Sequence, residues 1–447
     1  MVGKAGLISV VGFAIILGFL SLNIARLSKN STANMSSYAD ATLSHNLSQV
    51  GANIGLARFY ADTTWYGDTT QNFNGPHFYG SVRYSTTALS PGNVRLRSIS
   101  TYRSPSVPIA ETLHDTVDVY FNNNRTQTFS IFAWMTNNEN GVNWTTADTV
   151  WGRVHSNSNL TVNGSPVFFE KVTTTGTFTP ACSTKSKPTT NKAIFKKSYE
   201  TGVASVDLPT SLHDLDSASS LTGTTYGKRY MSDSIWVDLK PGTASSGDGL
   251  AIVHKTSFAG PVLDTVRIYD VLHFDGVIAS KYNIHVKGTL DGMLSLASLT
   301  QSVVVEDNVR YETNPQVSTS DDLLGLIGDQ NVVVADNAAN NTDCAIDGCV
   351  FTRAGGFTAQ NYDKKDGKGN GILFGRLDVL GSIVQKTRGP VGTISGSTLN
   401  TGFSKRYRYD SRLSDPNFRP PCFPGYTVKT YAITNWWESF RVPSISQ

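Results

Sequence analysis

The stretch AGLISVVGFAIILGFLSLNIA, residues 5–25, carries no charged side chain. About 20 consecutive apolar residues are enough to cross the hydrocarbon core of a bilayer as an α-helix. The sequence therefore predicts an N-terminal membrane helix. The side chains that we expect to contact lipid or neighbouring helices in this stretch are Leu7, Val11, Phe13, Ile16, Leu20 and Ile24.

A cleaved secretory signal is the alternative interpretation of this stretch. Cleavage requires a small-x-small site after the apolar run. At Asn23-Ile24-Ala25 the second small position is filled by Ala25, but the first is occupied by Asn23. Lys4 precedes the stretch, whereas Arg26 and Lys29 follow it, so the flanking charges do not fix an orientation. We expect the helix to be retained.

The helix is expected to continue beyond the membrane, because residues 27–62 contain no proline. Gly51 and Gly55 lie one turn apart, which permits close helix packing. If unbroken, residues 5–62 form a rod of roughly 85 Å. Its outer half either packs against copies of itself or covers the rest of the chain. The apolar residues that recur at three- and four-residue intervals there are Leu43, Leu47, Val50, Ile54 and Ala57.

The composition favours an extracytoplasmic body. Charged residues make up 16% of the 447 residues, against roughly 25% in soluble domains, and Ser, Thr, Asn and Gly are abundant. The formal net charge is +3 without a basic stripe, so we do not expect nucleic acid as a partner. The basic and aromatic run 405–409 is interpreted as a strand with one charged face.

Beyond Asp62 the chain is expected to be mainly β. Alternating runs at 95–100, 117–121 and 128–133 are typical of strands. In the regions 150–169 and 271–310, short strands recur about every ten residues with Gly or Asn at corners, a pattern that returns at 331–335 and 372–383.

This spacing favours a parallel β-helix, and a β-sandwich is the alternative architecture. We divide the chain into a membrane or assembly helix (1–62), a β-rich domain or insertion (63–149), a β-solenoid-like body (150–430) and a C-terminal tail (431–447).

Several blocks resemble a family of bacterial envelope proteins of unknown function with pilin-like N-termini. The blocks are 151–164, 324–333, 380–392, 402–413 and 420–424. The N-terminal segment resembles that of minor pilins and pseudopilins, whose short leader is cleaved after Gly and which carry Glu at the fifth mature position. This chain departs from that pattern, because cleavage after Gly3 would place Ile8 there and cleavage after Gly6 would place Val11. The resemblance implies association with the envelope or with a surface filament.

No arrangement of residues indicates catalysis, a metal site or a cofactor. The carboxylates and bases considered are Asp270 with Asp275, Asp321 with Asp322, His273 and His285, which we interpret as solvated strand residues. The four cysteines, Cys182, Cys344, Cys349 and Cys422, allow three pairings. Cys344 and Cys349 would close a short loop and are our expected disulfide.

We therefore expect a non-enzymatic structural or assembly component of the bacterial cell envelope, possessing a membrane anchor and forming homo-oligomers or extracellular filaments through its helix. A membrane-anchored carbohydrate-binding adhesin is the alternative, and a β-helix polysaccharide enzyme is a weaker one. The aromatic side chains that could stack on surface glycans, or equally lie in a core or interface, are Trp134, Trp144, Trp151, Trp436 and Trp437.

Overall fold

The computed structural model describes residues 2–62, 65–75, 78–90, 92–103, 112–181, 192–221, 227–242, 249–270, 272–273, 276–395, 398–415 and 417–439. It has a long N-terminal helix followed by a β-rich body, which confirms the expected fold class. The helices are α1 (Val2–Ala61) and α2 (His213–Ser219).

The first strands in chain order are β1 (Asp68–Gly75), β2 (Phe78–Ser90), β3 (Asn93–Arg103), β4 (Thr112–Thr128), β5 (Phe132–Asn138), β6 (Trp144–Thr145), β7 (Thr149–Val150), β8 (Arg153–Ser156), β9 (Leu160–Asn163), β10 (Val167–Phe168), β11 (Val172–Thr174), β12 (Phe178–Thr179), β13 (Ile194–Phe195) and β14 (Tyr199–Thr201).

They are followed by β15 (Lys228–Tyr230), β16 (Ile235–Lys240), β17 (Leu250–Lys255), β18 (Val262–Arg267), β19 (Val277–Ser280), β20 (Ile284–Leu290), β21 (Met293–Ser298), β22 (Val303–Tyr311), β23 (Leu323–Gly328), β24 (Val332–Val334), β25 (Cys344–Thr352), β26 (Phe357–Ala359), β27 (Leu373–Thr387), β28 (Gly392–Ser395), β29 (Thr398–Arg408) and β30 (Gly425–Glu438).

The chain divides into two compact units. The helix–sheet unit consists of residues 1–125 and 427–447, and the solenoid unit consists of residues 126–426. The boundaries expected at 149/150 and 430/431 therefore differ from those of the structure. The segment after residue 430 contributes to β30 and belongs with the helix–sheet unit, whereas residues 126–149 already belong to the solenoid unit.

In the helix–sheet unit, the sheet has the strand order β1-β2-β3-β4-β30. Strand β3 pairs antiparallel with β2 and β4, and its side chains alternate between buried and less buried positions. One face of this sheet forms a core with the C-terminal half of α1. That core contains Ala52, Phe59, Val94, Leu96, Val117, Val119 and Phe121.

The helix turns a different face to the sheet from the one that the apolar periodicity predicts. Leu47 is buried and Ile54 is half-buried, but Leu43 and Val50 are 38% and 42% exposed and Ala57 is also exposed. The buried face instead carries small and polar residues, namely Asp40, Ser44, Ser48, Gly51, Ala52 and Gly55.

Gly51 and Gly55 explain why this face of the helix, and not the more apolar one, lies against the sheet. A Cβ atom on Gly51 would overlap Val82 and Ser98, and one on Gly55 would lie 2.6 Å from Leu96 Cδ1. The helix backbone therefore lies directly against the sheet at these two positions. A larger side chain on this face would hold the helix away from the sheet.

The solenoid unit is built from stacked parallel strands, as the spacing of short strands predicts. In its first part β8 pairs parallel with β5 and β11, β9 with β6 and β12, and β10 with β7 and β13. In its second part β20 pairs parallel with β16 and β22, and β24 with β22 and β26. The β-sandwich alternative is not what the chain forms.

The two parts form one solenoid. Strand β27 pairs parallel with β5, so that Ile383 lies opposite Trp134. The first strand of the unit therefore lies in the middle of the stack rather than at one end. One continuous parallel ladder runs through β15, β19, β21, β23, β25, β27, β5, β8, β11 and β14.

Candidate functional site

The first half of α1 is apolar and uncovered. Its large side chains, from Leu7 to Leu27, are all apolar and more than half exposed. Within the part of the chain that the structure describes, α1 is the one helix long and apolar enough to cross a membrane. The residues expected there, Leu7, Val11, Phe13, Ile16, Leu20 and Ile24, all lie on this exposed segment.

The second half of α1 is fixed to its sheet by polar contacts that the apolar pattern did not indicate. Ser48 Oγ donates to Asp115 Oδ2 at 2.8 Å, and His45 Nδ1 lies 2.7 Å from the same oxygen. Ser44 Oγ lies 2.9 Å from Ser100 Oγ. Because these groups are buried or nearly so, each contact offsets the cost of removing a polar atom from water.

The helical turn at Asp40, the first buried one in this half, is also fixed to the sheet by a polar contact. The Tyr102 hydroxyl donates to Asp40 Oδ1 at 3.2 Å. Burial, together with the nearby Asp40 carboxylate, raises the pKa of Tyr102 to about 12, so this hydroxyl remains a donor at any physiological pH. The helix is therefore rigidly seated from Asp40 onwards.

The outer face of α1 from Met35 onwards carries exposed apolar side chains, with the exposed Asn46 and Asn53 beside them. Met35 and Tyr38 are exposed together with Leu43 and Val50. We call these four residues the outer stripe. Nothing else in the described helix–sheet unit covers it.

In the solenoid unit, a cavity of about 240 Å³ lies where β27 and β29 meet β5 and β7. We call it the seam cavity, since the two parts of the solenoid join there. Its lining includes Trp134, Trp144, Asp148, Arg388, Lys405 and Tyr407.

A buried ion pair closes one side of the seam cavity. Arg388 Nη1 donates to Glu139 Oε2 at 2.8 Å, and both side chains are almost fully buried. The Arg388 guanidinium lies 5.0 Å from the Trp134 ring centroid and 4.3 Å from that of Trp144, within the range of cation–π attraction. Trp144 Nε1 also donates to Glu139 Oε2 at 3.1 Å.

A second ion pair lies on the cavity wall, where Lys405 Nζ donates to Asp148 Oδ1 at 2.7 Å. Burial by itself would raise the pKa of Asp148, but the charges of Lys405 and Arg388 outweigh it and hold this pKa below its ordinary value. Burial lowers the pKa of Lys405, against the attraction of Asp148. The run 405–409 thus directs Lys405 inward instead of forming only a charged outer face.

The sequence did not predict the contact between Arg388 and Glu139. They are separated by 249 positions along the chain, and their contact depends on the stacking of β27 on β5. Glu139 lies in an Asn-rich turn cluster, and Arg388 lies in one of the family-like blocks. Neither position carries a local pattern that would connect the two.

Two of the residues considered for catalysis, His285 and Asp322, serve as structural partners. His285 Nδ1 lies 2.7 Å from Glu306 Oε1, and its ring stacks on Trp236. Asp322 accepts from the backbone amides of Gly292 and Thr313. Asp275 lies outside the described residues, and no group of three His, Cys, Asp or Glu side chains in the described ranges is placed to hold a metal ion.

The expected disulfide between Cys344 and Cys349 is wrong. Both residues lie on strand β25 and are free and buried. Five residues of extended chain separate their Cα atoms by about 16 Å, whereas a disulfide requires roughly 4.4–6.8 Å. Cys182 lies outside the described residues.

The aromatic side chains have different environments. Trp134 and Trp144 are buried, whereas Trp151 is half exposed and its ring stacks on that of Phe169. Trp437 is exposed, and Trp436 packs beside the core of the helix–sheet unit. Glycan binding by these residues stays a prediction.

Comparison of the sequence with protein-family models and with curated proteins gives no match. Among solved structures, the chain is similar to the competence-associated pilin ComZ from Thermus thermophilus, with 9% sequence identity and a TM-score of 0.37. The match covers 90% of this chain and 98% of that one. A TM-score this low shows nothing about the function of the chain.

Proposed function

We propose that this protein is a structural subunit of the bacterial cell envelope, which is anchored in the membrane by α1 and assembles with copies of itself into an extracellular filament. The observation that carries the proposal is the continuous helix with an uncovered apolar half and a seated second half. This arrangement supports a role as an anchor and an assembly element.

The free-energy cost of leaving the first half in water is large. A fully buried large apolar side chain contributes roughly 1.5–3 kcal/mol relative to an exposed one, and thirteen such side chains are exposed from Leu7 to Leu27. The segment therefore requires lipid or protein around it. The uncharged residues 5–25 span about 31 Å as a helix, which matches a hydrocarbon core of about 30 Å.

The outer stripe favours assembly over simple anchoring. Leu43 lies about 55 Å along the helix from Gly6, well beyond the thickness of one bilayer core. Lipid that surrounds the first half cannot also cover Leu43 and Val50. A neighbouring copy of the same helix, with the same exposed residues, offers a matching apolar surface.

The test places charge on the outer stripe without disturbing the seated face. A Leu43→Asp/Val50→Asp double variant should remain in the membrane fraction but yield no filaments in electron micrographs of surface material. Ala33→Asp/Ser37→Asp is the matched control, because it adds the same charge at two exposed positions on the side of the helix that carries Gly51 and Gly55, away from the outer stripe. Filaments formed by the stripe variant, or native protein recovered only as monomers, would contradict assembly.

The anchoring step is tested separately. Ile16→Lys places a charge near the middle of the apolar segment, at a cost of roughly 2.5–3.5 kcal/mol in a membrane. We expect a larger fraction of this variant in the soluble extract than of Asn53→Lys. Equal membrane fractions for the two variants would count against insertion of this segment.

A further inference from the structure

The ion pair of Lys405 and Asp148 holds an amine and a carboxyl group in contact on the wall of the seam cavity. Lys405 Nζ donates to Asp148 Oδ1 at 2.7 Å, and the two side chains are 20% and 8% exposed. Two reactive groups held in contact by a fold react far more readily than the same groups free in solution. An amine and a carboxyl group placed in this way can condense to an amide with loss of water.

Burial distinguishes this pair from other lysine–carboxylate pairs of the protein. In six other such pairs within the described ranges, the lysine side chain is 42–62% exposed. Those amines are hydrated and protonated at neutral pH, and a protonated amine has no lone pair with which to attack carbon. Burial lowers the pKa of Lys405, because it disfavours the charged form. The reactive neutral amine is therefore easier to form at Lys405.

The second carboxyl oxygen of Asp148 already faces two hydrogen-bond donors. Asp148 Oδ2 accepts from Thr145 N at 2.7 Å and from Thr145 Oγ1 at 3.1 Å. When an amine adds to a carboxyl carbon, negative charge develops on the oxygen that stays, and donors aimed at that oxygen stabilise the charge. The positive charge of Arg388 also acts on Asp148. The site thus holds the groups that the addition step requires.

The condensation balances within the two side chains. The Lys405 ammonium passes one proton to Asp148 Oδ1 along their hydrogen bond, which gives a neutral amine and a carboxylic acid. Nζ then adds to the carboxyl carbon, and the electron pair of the C=O bond moves to Oδ2. A second proton passes from Nζ to Oδ1, the bond from the carbon to Oδ1 breaks, and Oδ1 leaves as water into the seam cavity. One C–N bond replaces one C–O bond, and nothing is oxidised or reduced.

The resting state before condensation is the ion pair. The charges of Lys405 and Arg388 hold the pKa of Asp148 below its ordinary value, so the neutral pair is a minor form and the reaction follows folding slowly. The amide carries no charge. Its formation therefore removes the free-energy cost of keeping two charges in a poorly hydrated site.

We propose that Lys405 and Asp148 condense to an intramolecular amide that cross-links the solenoid at its seam. Asp148 lies between β6 and β7 in the first part of the solenoid, and Lys405 lies on β29 in the second part. The cross-link spans 257 positions of the chain and joins the two parts covalently. It forms within one chain, so it depends neither on membrane insertion nor on filament assembly.

The test is a tryptic peptide map of the native full chain after denaturation. Trypsin cleaves after Lys and Arg, so the unmodified chain gives peptides 126–153 and 389–405. An amide on Lys405 blocks cleavage there. We expect most molecules to give a branched species that joins 126–153 to 389–406 and is lighter than the two peptides together by one water molecule. Recovery of only the separate peptides would overturn the proposal.

The pair of Lys364 and Asp336 is an internal control in the same map. Lys364 Nζ lies 2.6 Å from Asp336 Oδ2, but the Lys364 side chain is 43% exposed. We expect no cross-link between these two residues. A cross-link there to the same extent as at Lys405 would contradict the role of burial.

A substitution locates the cross-link. Lys405→Arg keeps a cation beside Asp148 but removes the nucleophilic amine, so the branched species should disappear and the denatured chain should migrate more slowly in a gel, because its closed loop is lost. Lys364→Arg is the matched control and should keep both properties. A branched species that persists in Lys405→Arg would refute the location.

Thr145 tests the stabilisation of charge on Asp148 Oδ2. Thr145→Val removes the hydroxyl donor, whereas Thr145→Ser keeps it. After a pulse of isotope-labelled lysine, the branched species should form roughly tenfold more slowly in Thr145→Val than in Thr145→Ser. Equal rates would contradict this role of Thr145. None of these outcomes bears on the membrane fraction or on filaments, so failure here leaves the proposed function standing.

Discussion

At the residue scale, the seated face of α1 shows why an apolar pattern can select the wrong side of a helix. Hydrophobic periodicity favours Leu43 and Val50, yet these residues are exposed. Ser44 and Ser48 are buried because Ser100 and Asp115 on the sheet satisfy their hydroxyl groups. Such pairing depends on strands far along the chain, so the helix sequence alone cannot indicate it.

Gly51 provides a test of this close contact. Gly51→Ala should destabilise the helix–sheet unit by about 1–3 kcal/mol, because the new methyl group has no room against Val82 and Ser98. The measurement is hydrogen exchange of the β3 amides, which should become faster. Gly12→Ala is the control, since a Cβ there meets no atom within 4 Å. Equal exchange rates in the two variants would contradict the packing described.

The buried cysteines give a second residue-scale prediction. Burial raises the pKa of both Cys344 and Cys349 to about 12, and the thiolate is the reactive form. At pH 8 we expect neither thiol to be alkylated by iodoacetamide in the native protein, and both to be alkylated in urea. Peptide mass spectrometry distinguishes these states. Recovery of a Cys344–Cys349 disulfide from native protein would contradict the placement of both on one strand.

At the scale of elements, the sequence predicted individual strands by their alternation and parallel stacking by their spacing, but not which strands stack on each other. The expected strand at 95–100 lies within β3, with the alternating burial that the pattern requires. The expected strand at 128–133 is interrupted by a 3-10 turn at Phe129–Ile131, where Thr128 Oγ1 accepts from Ser130 N. The pairing of β27 with β5 had no sequence signal, because it joins segments that are distant in the chain.

Polar side chains fix the turns between coils. One of these side chains, Asp336, predicts that the stability of the fold depends on pH. Asp336 accepts from Asn341, Lys364 and Asn361, and these contacts lower its pKa to about 2. Because the folded pKa lies below the unfolded value of about 3.9, the stabilisation is full above pH 5 and is lost as the pH falls towards 2.

The corresponding measurement compares the protein with Asp336→Asn by urea unfolding. We expect the variant to be less stable by about 1 kcal/mol at pH 7, a modest figure because the Lys364 side chain is partly exposed to solvent, which screens the pair. The difference should shrink between pH 5 and pH 2. A difference that stays constant across this range would show that the Asp336 carboxylate does not contribute through its charge.

At the scale of the whole molecule, the chain order places the solenoid unit as an insertion within the sheet of the helix–sheet unit. The last two strands of that sheet, β4 and β30, flank residues 126–426 in sequence. Ser439 N donates to Thr116 O at 3.0 Å, and Thr434 Oγ1 donates to Tyr120 O at 3.1 Å. These contacts run in opposite directions along the chain, so β4 and β30 are antiparallel neighbours.

Antiparallel neighbours can be joined by a two-residue turn. We therefore predict that each of the two units folds without the other. Replacement of residues 127–425 by a short Asn-Gly turn should leave a helix–sheet unit that folds, remains in the membrane fraction and assembles. Residues 126–426 alone should form a soluble β-rich protein, because the apolar half of α1 is absent and the unit has its own core.

Circular dichroism, membrane fractionation and electron microscopy measure folding, membrane insertion and assembly of the two shortened proteins side by side. If the shortened chain folds and inserts but forms no filaments, contacts from the solenoid are required for assembly, and the outer stripe is insufficient. If it does not fold at all, the helix–sheet unit depends on the insertion for its stability. Filaments from the shortened chain would assign assembly to the helix–sheet unit.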